Sequence, residues 1–599
     1  MHDGPSIAQH GLIGDLRTCA LVGTDGTIDW FCAPRFDSPS VFGAILDAET
    51  GGSWRLTPVC DSAASHQFYF PESATLITRF LTEHGVIEVH DFMPVLRRGD
   101  AEHRQRLVRR IVAVRGTTTV RMTLDARPDY GRTRFAVSSR AGGIDFRADE
   151  LAMTLTSTTD LTVDDGVVGA EFTVRTGEVA QFVLEVLDSP DGDADDAHDV
   201  DALFEATAQF WRTWLAQSRY RGRWREMVER SAITLKLLTH EPSGAIIAAP
   251  TTSLPETVGG ERNWDYRYVW MRDAGFSLYA LLRLGFNDEA NAFIEWLSQR
   301  LGRGDREADG LGPLRVLYDI DGNAPEEIEL DHLRGHLDST PVRVGNAAAE
   351  QLQLDIYGDL IDSVYLFNKY GAGISHDAWS DVSYVIGWVV DNWERDDAGM
   401  WEVRDGDKAN TTSRLMCWVA LERAIRIARQ RGLPADLVTW SRVRDEIYDR
   451  IMTACWNAEL ETFTRFEHGD TLDAGVLLMP MVKFISPVDP RFLSTLAAVE
   501  RQLVTDSLVF RYDPDSDDGL DGEEGTFSLC TFWYVEALTR AGRLRDAQLA
   551  LEKMFTYANH VGLYAEQVSA TGDQVGNFPQ AFTHLSLISA AINLDRALG

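Results

Sequence analysis

Apolar positions recur along the chain with two different periods. Up to about residue 187 they fall in short β-branched or aromatic runs: Ser53-Trp54-Arg55-Leu56, Gln67-Phe68-Tyr69-Phe70, Val86-Ile87-Glu88-Val89, Arg110-Ile111-Val112-Ala113-Val114 and Phe182-Val183-Leu184-Glu185-Val186. Gly, Asp and Pro turns separate them, which predicts an antiparallel β-sandwich. Asp25-Gly26 supplies a hairpin turn within it. The run from Asp29 to Pro39 sets aromatics and charges around Pro34 and Pro39, and is expected to be an ordered loop rather than a strand.

The acidic stretch Asp188-Ser189-Pro190-Asp191-Gly192-Asp193-Ala194-Asp195-Asp196 has nothing to bury and marks a boundary. After it the spacing becomes helical, over 204–214, 224–238, 274–284, 290–301, 347–367, 379–393, 415–428, 438–455, 492–503, 527–538, 547–557 and 581–598. About a dozen helices without a fixed-length repeat favour a closed or bundled α-domain over an open array. A ring of helix pairs would gather alternate loops at one end and build a pocket there. The expected division is 1–187 for the sheet domain, 188–222 for an acidic linker with its helix, and 223–599 for the helical domain.

Composition narrows the function more than the fold. Hydrophobic residues at 44% and charged residues at 25% describe a soluble globular protein, and 599 residues leave ample chain for a core. No apolar run is long enough to span a bilayer, and the start lacks a basic segment followed by an apolar one, so a cytoplasmic location is expected. A net charge of -35 with no Lys/Arg stripe argues against nucleic-acid binding, and fits a salty habitat or plain solubility equally well. Cys19, Cys32, Cys60, Cys417, Cys455 and Cys530 are scattered, with no Cys-x-x-Cys pair and no His at zinc spacing. Reduced, mostly buried thiols and no metal are expected.

Four loops in the helical region carry candidate chemistry. In Arg262-Asn263-Trp264-Asp265-Tyr266-Arg267-Tyr268-Val269-Trp270-Met271-Arg272-Asp273, planar bidentate groups and aromatic faces occur together. These are the groups that hold the hydroxyls and cover the C–H surface of a sugar ring, although Asp273 also suits a helix N-terminus. In Gly399-Met400-Trp401-Glu402-Val403-Arg404 an aromatic stands beside a carboxylate. Shielded from water by Trp401, Glu402 would hold its proton more strongly, as a general acid near neutral pH must. Trp393-Glu394 offers the same pairing, so the dipeptide alone does not choose. The stretch 510–527 places acids from Asp513 to Glu524 at calcium-loop positions, but Asp518 stands where the turn requires Gly, and calcium is disfavoured. The fourth loop is Gly562-Leu563-Tyr564-Ala565-Glu566-Gln567.

With these motifs in view the chain resembles glycoside hydrolase family 15, the glucoamylases and their bacterial relatives, which include trehalases. The likeness covers nearly the whole length. Ile13-Gly14-Asp15 and Asp25-Gly26-Thr27-Ile28-Asp29-Trp30 match the trehalase-like β-domain of bacterial members. Ala248-Ala249-Pro250-Thr251-Thr252-Ser253-Leu254-Pro255-Glu256, the 262–267 run and Glu524-Gly525-Thr526-Phe527-Ser528-Leu529-Cys530 look like the bacterial signature of the second domain.

The resemblance implies a multidomain β + α chain, an N-terminal antiparallel β-sandwich followed by an (α/α)6 barrel. It also implies inverting hydrolysis of a terminal α-glucosidic bond without cofactor. By position, Glu402 matches the family's general acid and Glu566 its general base. Trp270, Arg272, Asp273, Trp401 and Arg511 match its pocket residues. Val403 stands where fungal members carry a second Glu.

Inversion places the two carboxyls about 6.5–9.5 Å apart, leaving room for the attacking water. The leading expectation is an exo-acting hydrolase releasing β-glucose from small α-glucosides, with α,α-trehalose hydrolysis as the alternative. A disaccharide phosphorylase and a non-catalytic glucan-binding protein rank lower, since both carboxylates are present. The expected partner is a small α-glucoside, with no nucleic acid and no membrane.

Overall fold

The computed structural model describes residues 5–95, 104–189, 192, 199–303, 310–371, 373–403, 406–513 and 524–599. Most of the acidic boundary, Arg404 and the interior of the calcium-like loop (514–523) lie outside the described residues.

Among the described residues the N-terminal domain is one antiparallel network of 15 strands. It is organised on the 21-residue strand Gln105–Asp125. The first half of that strand pairs with Gly85–Phe92 and Val179–Val186, and its second half pairs with Ser53–Pro58 and Val167–Arg175. Two sets of strands therefore share one member. They also meet face to face: Tyr69 donates to the Leu12 carbonyl at 2.8 Å and accepts from the Leu12 N–H at 2.9 Å. Gly11 leaves room for Leu76, which a Cβ there would approach to 2.5 Å.

At the crossing, fully buried Arg109 pairs with Asp91 (Nε–Oδ1 2.8 Å) and donates to the carbonyls of Trp54 (2.6 Å) and Gly26 (2.7 Å). One guanidinium thus ties three strands and the Asp25-Gly26 hairpin, where Gly26 has φ +82°. The expected loop at 29–39 begins later than its prolines suggest. Thr27–Cys32 is a strand, nearly all buried because the helical domain covers it, with Trp30 Nε1 donating to the Pro250 carbonyl at 2.7 Å. The loop proper starts at Ala33.

The helices are α1 (Val200–Leu215), α2 (Arg225–Leu237), α3 (Met271–Leu284), α4 (Asn287–Arg303), α5 (Asp355–Tyr370) and α6 (His376–Asn392), followed by α7 (Thr411–Arg431), α8 (Leu437–Ala454), α9 (Pro490–Gln502), α10 (Ser528–Arg540), α11 (Leu544–Phe555) and α12 (Ala581–Leu598). The expected helix at 347–367 is split into a 3-10 turn, Ala347–Glu350, capped by Asn346, and α5, which starts at Asp355 after the Leu354 N–H bonds Asp397.

Among the described residues α3, α5, α7, the 3-10 turn Ala474–Leu478, α10 and α12 contact one another in that cyclic order. The helices α2, α4, α6, α8, α9 and α11 pack against them. Burial follows this division. Nearly every residue of α10 and the first two-thirds of α7 and α12 is buried, whereas α8, α9 and α11 bury a single stripe.

The sheet domain braces the loops that reach the site. Buried Arg267 pairs with Asp265 at 2.6 Å and donates to the Ser38 carbonyl at 2.9 Å. Asn559 donates to the carbonyls of Ala8 (3.1 Å) and His10 (2.7 Å). Among the described residues no helix is long and apolar enough to cross a membrane.

Arg109→Met would leave Asp91 buried and unpaired. It should destabilise the full chain by about 3–5 kcal/mol, read as a lower urea or thermal midpoint; an unchanged midpoint would remove this residue from the account of the fold.

Candidate active site

The inner elements present their N-termini, with their partial positive charge, to one region. Trp270 immediately precedes α3, Asp473 caps the 3-10 turn Ala474–Leu478, Phe527 precedes α10 and Asp355 opens α5. The loop after α6 enters this region through a turn in which Gly399 and Glu402 both have positive φ, +70° and +57°. A Cβ on Gly399 would meet the Asn410 side chain at 2.8 Å, so glycine is required there. Left-handed backbone at a glutamate costs on the order of 1 kcal/mol and is kept where the surroundings fix it.

Glu402 Oε1 accepts from Trp270 Nε1 at 2.8 Å and stands 3.4 Å from Arg272 Nη1, which also donates to the Met400 carbonyl. The tryptophan that engages this carboxylate is thus Trp270. The neighbour in sequence, Trp401, donates its indole N–H to Asp473 at 2.7 Å and packs on Phe527 and Trp533. The competing pair resolves as structure. Trp393 is buried at the end of α6 against the Arg414 guanidinium, and Glu394 is exposed.

Glu566 is fully buried. Its Oε1 accepts from the Tyr266 hydroxyl at 2.5 Å, and its Oε2 has no hydrogen-bond partner. The loop is held tightly: the Glu566 carbonyl accepts from the Ser528 N–H at 3.0 Å, and Gln574 accepts from the Ala565 N–H at 2.7 Å. Burial pushes the Glu566 carboxyl well above the usual carboxylate range, and Glu256 and Glu402 add to this, while Tyr266 and Arg511 oppose it. The Tyr266 ring lies 5.0 Å from that of Trp270, edge to face. Glu566, Tyr266, Trp270 and Glu402 therefore form one contiguous chain.

A charged cluster completes the wall. Arg511 Nε donates to Glu524 at 2.8 Å, its Nη2 contacts Glu524 and lies 3.3 Å from Glu256, and Arg262 reaches Glu524 at 2.7 Å. Glu256 also accepts from Gln567 at 2.8 Å. Its carboxyl is pushed up to about 7, first by burial; Arg511 pulls it down and Glu524 pushes it up.

The cavity between these groups is bordered by Trp401, Glu402 and Arg511, with Glu256, Trp264, Tyr266, Asn346 and Gln351 among its other walls. Trp270, Arg272 and Glu566 do not border it but touch residues that do, and Asp273 stands behind them on Arg272. Arg272 Nε donates to Asp273 at 3.3 Å, and the guanidinium lies over the Phe582 ring. Burial raises Asp273 to about 6 against the pull of Arg272.

A larger cavity of about 460 Å³ opens beside α1, α2 and α4. Its buried charges are already paired, Lys236 with Glu241 (2.9 Å) and Glu289 (3.0 Å), and it is remote from the carboxylates above. Among the described residues no group of three or more His, Cys, Asp or Glu is placed to hold a metal ion.

Sequence reasoning quoted Glu256, Tyr266 and Glu524 inside motifs without giving them a place in the site. Their signal was the density of the motifs; which carboxylate meets which arginine lies in the tertiary fold.

A sheet domain braced against a helical ring, with carboxylates and aromatics gathered at the ring's helix N-termini, defines a glycoside hydrolase. Residues 222–592 match the model of glycosyl hydrolases family 15, and residues 2–201 match that of the trehalase-like N-terminal domain. The chain belongs to glycosyl hydrolases family 15. It is 37% identical to a trehalase of Mycobacterium tuberculosis over 99% of this chain and 90% of that one. It is 33% identical to a trehalase of Thermoplasma volcanium over 99% and 94%. In fold it is similar to a bacterial glucoamylase complexed with acarbose, with a TM-score of 0.73 at 15% identity over 99% of this chain and 96% of that one.

Glu256→Gln removes one of the charges that raise Glu566, so the Glu566 carboxyl should ionise at lower pH. The midpoint of its infrared carboxyl band, followed by difference titration, should move to lower pH; a midpoint that stays in place would refute the coupling.

Proposed function

We propose that this chain hydrolyses α,α-trehalose to two glucose molecules, with inversion at the attacked carbon. The observation that carries the reading is likeness over 99% of the chain, sheet domain included, to proteins named as trehalases. Small α-glucosides in general were the first expectation from sequence and trehalose the second; the full-length relatives favour the reverse order. The cyclic order of inner and outer helices supports reading the helical domain as the (α/α)6 barrel.

In the proposed reaction Glu402 enters protonated and gives its proton to the glycosidic oxygen as the C1–O bond breaks. Glu566 takes a proton from a water whose oxygen bonds C1 from the opposite face. Trp270 and Arg272 hold Glu402 by its Oε1, leaving Oε2 to face the leaving oxygen. Tyr266 fixes Glu566 by its Oε1, leaving the unpartnered Oε2 for the water. A base raised by burial is a stronger base, at the cost of being protonated in acid. Trp270, Arg272, Asp273, Trp401 and Arg511 are read as the residues around the terminal glucose. Arg262, Asn346 and Gln351 supply further polar groups to the wall.

Glu402→Gln and Glu566→Gln should each lower kcat on trehalose by about 10²–10⁴-fold with KM little changed. Near-normal turnover of either variant would refute that residue's role. Proton NMR of fresh product should show one α- and one β-glucose per trehalose, because the attacked ring inverts and the leaving ring does not. Two α-glucoses would exclude inversion. Glucose release from trehalose, maltose, isomaltose, kojibiose and nigerose, measured side by side, should favour trehalose; a preference for maltose would restore the first expectation.

A further inference from the structure

Asp355, the first residue of α5, is 1% exposed, and among the described residues neither of its carboxylate oxygens has a hydrogen-bond partner in another residue. Several other buried carboxylates are matched by arginines: Asp91 by Arg109, Asp265 by Arg267, and Glu185 by Arg104 and Arg106. An unmatched carboxylate in the interior costs several kcal/mol by order of magnitude, and so calls for a donor.

The helix fixes where Asp355 points. Asp359, one turn further on, lines a cavity of about 100 Å³ together with Gly275 of α3, Met416 of α7, Leu478, Arg540 of α10 and Ser589 of α12, so this face of α5 looks along the inside of the ring. Residues four apart share a helix face. Asp355 is therefore the member of that inward face nearest the end where Glu402 and Arg272 meet. Its electrostatics agree: burial and Asp397 push its carboxyl up to about 7 and Glu402 adds to this, while Arg272 and its own backbone N–H at the helix start pull it down.

Among the described residues no neighbour donates to it. Asp397 is itself an acceptor, engaged by the Leu354 N–H, Ser413 and Asn410. Arg272 gives Nη1 to Met400 and Glu402 and Nε to Asp273, and none of its hydrogen bonds reaches Asp355. A cation is poorly served, since no third acid or His joins the group among the described residues. Hydroxyl donors fit the remaining chemistry.

We propose that Asp355 is a substrate-binding residue whose carboxylate accepts a hydrogen bond from a ring hydroxyl of the glucosyl unit held beside Arg272 and Glu402. The proposal rests on the pocket being a glucoside site, and it does not depend on trehalose being the substrate.

The test uses α-D-glucosyl fluoride, whose sugar is only the attacked ring, and its 2-, 3-, 4- and 6-deoxy analogues, with the wild-type chain, Asp355→Asn and Asp355→Ala. On the parent fluoride both variants should lose about ten- to a hundredfold in kcat/KM, the worth of a hydrogen bond to a charged group. On one analogue, the one lacking the partner hydroxyl, the same substitutions should lose less than about threefold, because the interaction is already gone.

Equal losses on all five fluorides would overturn the proposal and assign Asp355 to an internal water or to the helix terminus. Thermal midpoints of both variants show whether a loss is structural, and Asp355→Asn, which keeps the shape, is read if the alanine variant does not fold. Failure of the wild type on trehalose, with selective losses on the fluorides intact, would sink the trehalase reading and leave this one standing.

Discussion

The site depends on keeping several carboxylates in a water-poor space without neutralising each one by an arginine. Water and positive partners are the usual remedies for a buried carboxylate, and the pair proposed to be catalytic has neither in full. Here Glu402 and Glu566 are each held by one oxygen only, through Trp270 with Arg272 and through Tyr266, and the second oxygen of Glu566 is left unbonded. Neutral donors, an indole and a phenol, do much of the holding. They fix geometry without a second full charge on the carboxylate. The full charges are displaced by one shell into the Arg262–Glu524–Arg511–Glu256 cluster, where they tune the field and answer one another.

That arrangement requires a scaffold able to bring distant loops together rigidly, and the ring of helices does so through its N-termini. Each inner element starts at the site, so its dipole favours negative charge there. The shortest inner member, Ala474–Leu478, adds Asp473, which anchors Trp401. Among the described residues the sheet domain supplies no wall of the site's cavity. It locks the segments on either side: Trp30 against Pro250, Ser38 against Arg267 next to Tyr266, and Ala8 and His10 against Asn559 ahead of Glu566. The irregular loop that carries Glu566, the proposed base, gains from such external bracing.

Much of this was legible in the chain because period and motif are local properties. The change from a two-residue to a helical period told a sheet region from a helical one, and eleven of the twelve expected helical segments coincide with single helices. What escaped was short or distant. The turn Ala474–Leu478 spans 5 residues, too few for a helical period to register. Thr27–Cys32 was hidden by prolines that follow it. The physical case for Glu402 rested on the adjacent Trp401, but successive residues in a turn need not face one way, and the indole that meets the carboxylate comes from Trp270, 132 residues earlier. Glu256 stood in plain view at the end of a motif, with nothing local to tell that Arg511 and Gln567 would close around it.

The charged cluster also bears on why one ring of helices serves different glucosides. Around the attacked carbon the demands are the same for any α-glucoside: an acid, a base and acceptors for the hydroxyls of one ring. Discrimination must come from what meets the second sugar. Under the proposed reading, Arg262, Asn346, Gln351 and Glu256 would meet that sugar with polar groups already paired inside the protein, Arg262 to Glu524, Glu256 to Gln567 and Asn346 to the Ala348 N–H. A sugar that displaces such bonds without replacing them leaves buried polar groups unpaired, which rejects a poor fit more strongly than an apolar pocket rejects by size. In the proposed trehalase reading it is the compact leaving glucose of trehalose that would meet this polar wall.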